Sequence, residues 1–232
     1  MRIHFILHAA FEKPGYIDTW ITGNGYTSTA TSLYKGEQLP SDDSYDFLIM
    51  MGGPQSPTDL EKFPYLKDEI EFTRKAIANN KSILGICLGA QIIGEAFNAK
   101  TERSPHKEIG VHPVSLTSDG AKDSIFKHFP KQFEVMHWHN DMPGISDGAI
   151  IIAESLGCPR QVVKYADKIY GLQCHFEMTQ ELVEEMLSHC KDDLQPSLYT
   201  QSPEKMLTAN FSDINKKLHF ILDEISSSQN FR

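Results

Sequence analysis

A cysteine between glycines is the residue of this chain best suited to nucleophilic chemistry. Residues 82–91 read SILGICLGAQ, so a short apolar run ends at Cys87 and is followed by apolar spacing typical of a helix. A side chain on a sharp turn from strand to helix stands clear of the sheet, and the free N–H groups at the helix start favour a thiolate. Cys87 is therefore the candidate nucleophile.

A histidine and a glutamate at the end of a later apolar run could complete such a site. Residues 171–177 read GLQCHFE, which places Glu177 two positions after His175. On an extended segment these side chains share a face, so Glu177 could orient His175 as the general base and acid for Cys87. Taken alone, His175 could equally be a hydrogen-bonded core histidine.

Two backbone N–H groups are candidates for stabilising the oxyanion that attack on an amide creates. One belongs to Leu88, directly after the nucleophile, and the other to Gly53 within the Gly-Gly-Pro run of residues 52–54. Preorganised N–H donors suit a tetrahedral oxyanion better than water does, and glycine lets the backbone approach a substrate closely. Without Cys87, the Gly-Gly-Pro run would indicate only a turn at the end of a strand.

The elements that must position these residues alternate between strand and helix over the first hundred positions. Candidate strands cover residues 2–8, 27–33, 46–51 and 82–86, and Pro14 and Pro64 can each open a helix between them. This alternation predicts an α/β fold with a doubly wound, mostly parallel central sheet and flanking helices, of the flavodoxin-like type. Sites in such folds form beyond the carboxyl ends of the strands, so all three motifs would meet at one edge.

After Phe97 the segments become shorter and more alternating. Five further candidate strands cover residues 111–117, 132–138, 149–155, 161–165 and 168–174. They predict a smaller antiparallel sheet, followed by a helix over 180–190 that Thr179 caps and a last amphipathic helix over 203–225. We expect residues 1–232 to form a single domain, with a core at 1–191 and a C-terminal helical extension at 192–232.

Composition narrows the partners and the compartment. The chain carries 22 basic and 31 acidic residues, and its net charge of −9 argues against a general affinity for nucleic acid or anionic membranes. It shows neither a signal peptide nor the roughly 20 consecutive apolar residues that span a bilayer. Its four cysteines form no CxxC pair, which is typical of a reducing compartment. We expect a cytoplasmic protein that binds neither nucleic acid nor membrane.

Three histidines, His137, His139 and His175, raise the question of a metal site. His137 and His139 alternate onto one face, and imidazole is a good zinc ligand. No cysteine or acidic residue completes a recognisable ligand spacing, and Glu108 is interpreted as a solvated charge. The sequence therefore predicts no metal and no cofactor, with His139 lining a substrate pocket and His137 packing or hydrogen-bonding on the sheet.

Taken together, the motifs at residues 51–54, 85–91 and 171–177 resemble those of the class I, or triad, glutamine amidotransferases, of the stand-alone kind similar to the glutaminase domain of GMP synthase. The resemblance extends to about Lys191. It implies hydrolysis of the glutamine side-chain amide to glutamate and ammonia through a γ-glutamyl thioester on Cys87, and it leaves room for a synthase partner that accepts the ammonia. It also implies substrate contacts from Gln91 and from the backbone around His139, Asn140 and Asp141.

Two departures from the family pattern and two other functions remain open. Phe176 stands where the family commonly has proline, and Leu88 stands where an aromatic residue is frequent. Stand-alone γ-glutamyl hydrolases and peptidases use the same triad on larger γ-glutamyl substrates, and residues 107–110 and 138–141 resemble those proteins equally well. A catalytically silent α/β binding module is the third hypothesis.

Overall fold

The structure, a computed structural model, describes residues 1–227. Within that range nine strands are present: β1 (Arg2–Leu7), β2 (Thr27–Ser32), β3 (Phe47–Met50), β4 (Ser82–Ile86), β5 (Glu102–Leu116), β6 (Gln132–Met142), β7 (Ile150–Glu154), β8 (Val162–Ala166) and β9 (Ile169–Leu172). The α-helices of the same range are α1 (Tyr16–Gly23), α2 (Tyr65–Ala78), α3 (Leu88–Ala96), α4 (Gln180–His189), α5 (Pro203–Leu207) and α6 (Phe211–Ser227).

Five parallel strands form the part of the sheet that carries the three motifs. Their order is β2-β1-β3-β4-β9. Every residue of β3 and β4 is buried, as expected for continuous apolar strands that are covered on both faces. This arrangement confirms the predicted α/β class with a partly parallel central sheet and flanking helices.

The antiparallel strands extend this sheet. β8, β7, β5 and β6 follow β9 in that order, each hydrogen-bonded to the next, so they do not form the separate smaller sheet expected from the sequence. β5 begins earlier and β6 runs further than predicted, because cross-strand pairing holds polar residues such as Glu108 and Asp141 within the ladder. Local patterning does not reveal which strand pairs with which.

Side-chain alternation along the parallel strands supplies two hydrophobic cores. Phe47 and Ile49 of β3 belong to the core beneath α1 and α6, whereas Leu48 and Met50 belong to the core beneath α2 and α3. Successive strand residues point to opposite faces, so a continuous apolar strand feeds both layers. The two helical layers therefore hold the sheet, and its carboxyl edge, in a fixed position.

The C-terminal segment differs from the single helix expected over residues 203–225. It forms α5 and α6, because Asn210 accepts a hydrogen bond from the Asp213 backbone N–H at 3.2 Å and so caps a new helix. The indole Nε1 of Trp20 in α1 donates to Asp223 in α6 at 2.7 Å. This docking supports the assignment of the extension to the same domain, which stays a prediction; residues 228–232 lie outside the described range. No helix of residues 1–227 is long and apolar enough to cross a membrane.

Candidate active site

The three sequence motifs converge where neighbouring parallel strands end. Residues 52–54 follow β3, Cys87 follows β4, and His175 comes shortly after the end of β9. β4 lies between β3 and β9 and runs parallel to both, so the three carboxyl ends share one edge. A cleft of about 380 Å³ opens there, and Gly53, Cys87 and Gln91 are among the residues that line it.

Cys87 occupies a strained turn between β4 and α3. Its φ of 51° and ψ of −105° are sparsely populated for a residue with a Cβ atom. The backbone N–H of Cys87 donates to the Leu172 carbonyl at 2.7 Å, which fixes the turn against β9. Sγ lies 3.8 Å from the carbonyl oxygen of Trp138, another residue of the cleft lining, and Cys87 is 7% exposed.

The glycines on either side of Cys87 are required by close packing. A Cβ atom on Gly89 would collide with the Met50 carbonyl of β3, and one on Gly85 would collide with the backbone of Gly89. Helix α3 therefore begins directly over the ends of β3 and β4. The Gly-x-Cys-x-Gly spacing allows this approach, which aligns the start of the helix with the cysteine.

His175 and Glu177 form a buried pair. The Nδ1 atom of His175 lies 2.6 Å from Oε1 of Glu177, and both side chains are 1% exposed. Burial alone would lower the pKa of His175, but Glu177 and the neighbouring Cys87 thiol raise that pKa well above its ordinary value. With Nδ1 engaged by Glu177, Nε2 is the ring nitrogen available to Cys87. Phe176 in place of proline does not break the pair, since its ring is buried against Phe133.

Two distant elements hold the segment that carries this pair. The Asn215 side chain in α6 donates to the carbonyl oxygens of Phe176 at 2.8 Å and Met178 at 2.9 Å. The Tyr16 backbone N–H, at the start of α1, donates to the Glu177 carbonyl at 3.0 Å. Sequence reasoning missed Asn215, because 37 to 39 positions separate it from its partners and no local motif marks it.

The glycine turn after β3 is anchored from behind by a second buried pair. His8 Nδ1 lies 3.2 Å from the Gly52 carbonyl oxygen, and His8 Nε2 lies 2.9 Å from Glu69. Burial alone would lower the pKa of His8, but Glu69 and the Gly52 carbonyl raise it above its ordinary value. A protonated ring donates from both nitrogens, so His8 can satisfy both partners. No local motif marks His8, because its partners Gly52 and Glu69 lie 44 and 61 positions away in the sequence.

Glu12 is a further acidic group at the site that the sequence did not single out. It lines the cleft, and a Cβ atom on Gly52 would lie 2.7 Å from its Oε2 atom. Burial raises the pKa of Glu12 above its ordinary value, and the nearby charge of Glu177 adds to this effect. His175 acts in the opposite direction but does not cancel it. The absence of a side chain at Gly52 is what lets this carboxyl group approach the turn.

The predicted substrate-contacting residues all line the cleft, but they differ in their own contacts. Gln91 donates to Gln173 at 3.1 Å, Asn140 is exposed, and Asp141 accepts from Arg103 at 2.9 Å. His139 reaches the cleft, yet its Nε2 atom faces Glu108. The side chains of Leu88, His175 and Glu177 lie behind the cleft wall rather than among its lining residues.

Glu108 is not the solvated charge expected from the sequence. It is 1% exposed and lies beside His137 and His139, with one ligand-type atom of each residue within 4.8 Å of the others. Glu108 and His139 are direct cross-strand partners in the β5–β6 ribbon. The sequence spacing indicated no acidic ligand for the two histidines, but strand pairing brings Glu108 beside them. His175 is not a member of this group.

Comparison with known proteins identifies the fold and the family. Residues 22–191 match the family model described as glutamine amidotransferase class-I. The glutamine amidotransferase-like protein YfeJ of Salmonella typhimurium is 42% identical over 233 residues, covering 97% of this chain and 98% of that protein. This chain belongs to the class I glutamine amidotransferase family. The solved structure of SMU.1228c superposes with a TM-score of 0.93 at 43% identity, covering 97% of this amidotransferase and all (100%) of that chain.

The amidotransferase is also similar to part of a larger enzyme. The glutamine-hydrolysing GMP synthase of Thermosipho africanus is 33% identical over 156 residues, which cover 63% of this chain but 28% of that protein. The family predicted from the three motifs is thus confirmed. The likeness to GMP synthase concerns a minor part of that enzyme's length.

Proposed function

We propose that this amidotransferase hydrolyses the side-chain amide of glutamine to glutamate and ammonia through a γ-glutamyl thioester on Cys87. The observation that carries the proposal is the pairing of His175 with Glu177 at 2.6 Å, at the end of the strand next to the one that ends in Cys87. A thiol on a strained turn, a histidine base and an orienting carboxylate are the three parts that nucleophilic acyl transfer requires.

Acylation of Cys87 begins with proton transfer. The Nε2 atom of His175 takes the thiol proton, and the thiolate sulfur attacks the amide carbon of the substrate to form a tetrahedral oxyanion. Glu177 stabilises the imidazolium ion that forms, in keeping with the raised pKa of His175. When the intermediate collapses, the carbon–nitrogen bond breaks, His175 returns its proton to the departing nitrogen, and ammonia leaves the thioester behind.

The backbone N–H groups of Gly53 and Leu88 serve as the oxyanion donors in this proposal. A trans peptide directs its C=O and N–H in opposite directions. Because His8 holds the carbonyl of Gly52 from behind, the N–H of Gly53 in the same peptide is turned away from His8. The N–H of Leu88 stands at the start of α3, where helix N–H groups lack intrahelical partners.

Hydrolysis of the thioester reverses these roles. His175 takes a proton from a water molecule, whose oxygen attacks the thioester carbon. The second oxyanion collapses with cleavage of the carbon–sulfur bond, and Cys87 recovers its proton from His175 while glutamate is released. The same base and oxyanion donors serve both halves, so each residue of the triad is needed for turnover.

We assign recognition of the substrate's amino-acid end to Gln91 and to the chain around His139, Asn140 and Asp141, where the backbone of His139 faces the substrate. Asp141 supplies a carboxylate for an ammonium group, and its neighbour Arg103 supplies donors for a carboxylate. The ammonia released at Cys87 would pass to a synthase partner, by analogy with the relatives named as GMP synthase.

Hydrolysis of larger γ-glutamyl amides is the second candidate. The cleft of about 380 Å³ falls in the range of sites that hold drug-sized ligands, which leaves room beyond a glutamine side chain. Its basic lining residues stand beside four acidic ones, and Arg103 and Lys107 are paired with Asp141 and Asp193. Lys62 has no ion-pair partner among the described residues and suits the additional carboxylate of a γ-glutamyl peptide, while the chemistry at the nucleophile would be unchanged.

A substrate screen with an active-site label tests these candidates. Purified protein is incubated with glutamine and with γ-glutamyl dipeptides, and the release of ammonia, glutamate and free amino acid is measured. Turnover of glutamine supports the amidase function, and preferential turnover of dipeptides favours the second candidate. Diazo-oxo-norleucine, an electrophilic glutamine analogue, should modify Cys87. No turnover combined with no label at Cys87 would overturn both candidates in favour of a silent binding module.

Cysteine variants make the screen specific. Cys87→Ala should abolish both turnover and labelling while keeping the fold. Cys190→Ala is the matched control, because Cys190 lines the same cleft but burial raises its pKa to about 11, so it is a neutral thiol at physiological pH. Full activity in Cys87→Ala, or loss of labelling in Cys190→Ala with an intact fold, would contradict the assignment of the nucleophile.

A further inference from the structure

A buried polar cluster lies on the β5–β6 ribbon, apart from the triad. It consists of Glu108, His137, His139 and Gln161, with the half-buried Ser155 beside them. His139 Nε2 lies 3.3 Å from Glu108 Oε2, and His137 Nδ1 lies 3.6 Å from the same oxygen. The proposed hydrolysis uses neither Glu108 nor His137, so the burial of these groups together needs its own explanation.

The ring of His137 has one partnered and one unpartnered nitrogen. Its Nε2 atom lies 3.3 Å from the His112 carbonyl oxygen, which can only accept, so a ring proton belongs on Nε2. Its Nδ1 atom has no hydrogen-bond partner among the described residues, and it faces the carboxylate of Glu108.

His139 directs its Nε2 atom at the same carboxylate. This nitrogen is 3.3 Å from Glu108 Oε2 and 3.1 Å from the Gln161 side-chain nitrogen. Two imidazole nitrogens and a carboxylate oxygen therefore meet in one buried region. A cation placed among them would accept an electron pair from each of the three atoms.

The distances match the edges of a metal coordination polyhedron. Zinc binds imidazole nitrogen and carboxylate oxygen at about 2.0–2.1 Å, which places the ligand atoms of a tetrahedron about 3.3–3.4 Å apart. The His139–Glu108 and His137–Glu108 distances, 3.3 and 3.6 Å, are close to that spacing. Both histidines stand on the rigid strand β6, and Glu108 is the cross-strand partner of His139, so backbone pairing sets the geometry.

Gln161 can complete a fourfold site. Its Nε2 atom is 2.6 Å from Glu108 Oε2, whereas its Oε1 atom has no hydrogen-bond partner among the described residues. A half-turn of the terminal amide turns Oε1 towards the cluster without movement of the backbone, and the 2.6 Å separation must then lengthen to the roughly 3.3–3.4 Å edge of a tetrahedral site. The remaining oxygen of Glu108 is held by Ser155 at 2.8 Å, an outer contact of the kind that orients metal-bound carboxylates.

We propose that Glu108, His137, His139 and Gln161 form a structural binding site for a transition-metal dication, with zinc as the best fit. Two nitrogen and two oxygen donors in a small closed site suit zinc rather than magnesium or calcium, which require more oxygen ligands. Four protein ligands leave no open position, so the ion is structural. It ties the β5–β6 ribbon to the start of β8 and fixes the strand whose Trp138 carbonyl contacts Cys87.

Cobalt substitution provides the test. Protein purified without chelators is analysed for bound metal, and chelator-treated protein is titrated with Co²⁺. We expect one metal ion per chain, intense visible absorption typical of tetrahedral Co²⁺, and displacement of that absorption by Zn²⁺. Glu108→Gln and His137→Ala should lose the absorption, whereas the control variant His128→Ala, which changes an exposed histidine, should retain it.

A second measurement keeps the proposal testable if the variants fail to fold. The Tm of the wild-type protein should rise when Zn²⁺ is added after chelation, and Mg²⁺ at the same concentration should have no such effect. Absence of tetrahedral Co²⁺ absorption in the wild type, together with a Tm that Zn²⁺ leaves unchanged, would overturn the proposal and leave the cluster as a hydrogen-bonded network.

Discussion

The ring Nδ1 of His8 lies 3.2 Å from the carbonyl oxygen of Gly52. The N–H group of the same Gly52–Gly53 peptide faces away from His8, because the C=O and N–H of a trans peptide point in opposite directions. His8 is in turn held by Glu69 at 2.9 Å. Neither His8 nor Glu69 lines the cleft, so they could affect catalysis only by positioning the Gly52–Gly53 peptide. This separates their role from that of the triad.

Two substitutions of His8 distinguish positioning from general stability. The side-chain nitrogen of asparagine is the same number of bonds from Cα as the Nδ1 atom of histidine. The side-chain nitrogen of glutamine is the same number of bonds from Cα as the Nε2 atom of histidine. His8→Asn therefore keeps a donor for Gly52, whereas His8→Gln keeps one for Glu69. We expect His8→Gln to lower kcat about 10–100-fold with little change in KM. This loss is smaller than the roughly 10²–10³-fold cost of removing an oxyanion donor outright. We expect His8→Asn to retain more activity than His8→Gln. The reverse order in steady-state kinetics would indicate a merely structural role.

The His8–Glu69 pair also predicts a pH dependence of stability. The pKa of His8 is raised above 6.5 in the folded state, so its contribution is fully present below pH 6.5 and is lost as the pH rises through the folded-state pKa. The difference in unfolding free energy between the wild type and His8→Asn, measured by urea denaturation, should therefore shrink towards alkaline pH. A difference that grows with pH would show that the ring is neutral in the folded state.

Replacing the carboxylate beside His175 should slow catalysis without destroying the site. Glu177→Gln keeps the size of the side chain but removes the charge that stabilises the imidazolium ion, so kcat should fall about 10²–10⁴-fold. Glu177→Ala should be less damaging than His175→Ala, because an orienting group contributes less than the base it holds. The rate of alkylation of Cys87 should fall in parallel at neutral pH. Unchanged alkylation in Glu177→Gln would separate Glu177 from activation of the thiol.

Asn215 should matter for stability and for activity, although it lies outside the cleft. Asn215→Ala leaves the carbonyls of Phe176 and Met178 without their donor and should destabilise the fold by about 1–3 kcal/mol. Asn215→Asp should be worse, because it directs a carboxylate at two carbonyl oxygens. Urea denaturation measures both, with the exposed substitution Lys216→Ala as the control. Equal stability of Asn215→Asp and the wild type would refute this role.

The glycine after the nucleophile turn should not tolerate a methyl group. Gly89→Ala would drive a Cβ atom into the Met50 carbonyl, so either the fold or the position of α3 must change. We expect a lower Tm and a loss of labelling at Cys87. Gly23→Ala is the matched control, because nothing lies within 4 Å of the added atom. A Gly89→Ala variant with normal Tm and labelling would contradict the close packing of α3 on β3.

The parallel half of the fold was predictable from local pattern. Continuous apolar runs gave β1, β3 and β4 to within about two residues, and Thr179 was recognised as a helix cap that bonds the Leu182 N–H. Such signals are local because strand burial, turn chemistry and capping depend on near neighbours. The antiparallel half was predicted less well, since the pairing of β5 with β6 depends on residues far apart in sequence.

The sequence by itself predicted the family, which the match over residues 22–191 confirms. It also predicted the chemistry that we propose for Cys87, His175 and Glu177, because their spacing is readable within two short segments. Only the tertiary structure decided what holds those groups in place. His8 behind Gly52, Asn215 behind Phe176 and the grouping of Glu108 with His137 all join positions at least 29 residues apart. Their roles follow from hydrogen bonding and burial across elements, which no local pattern encodes.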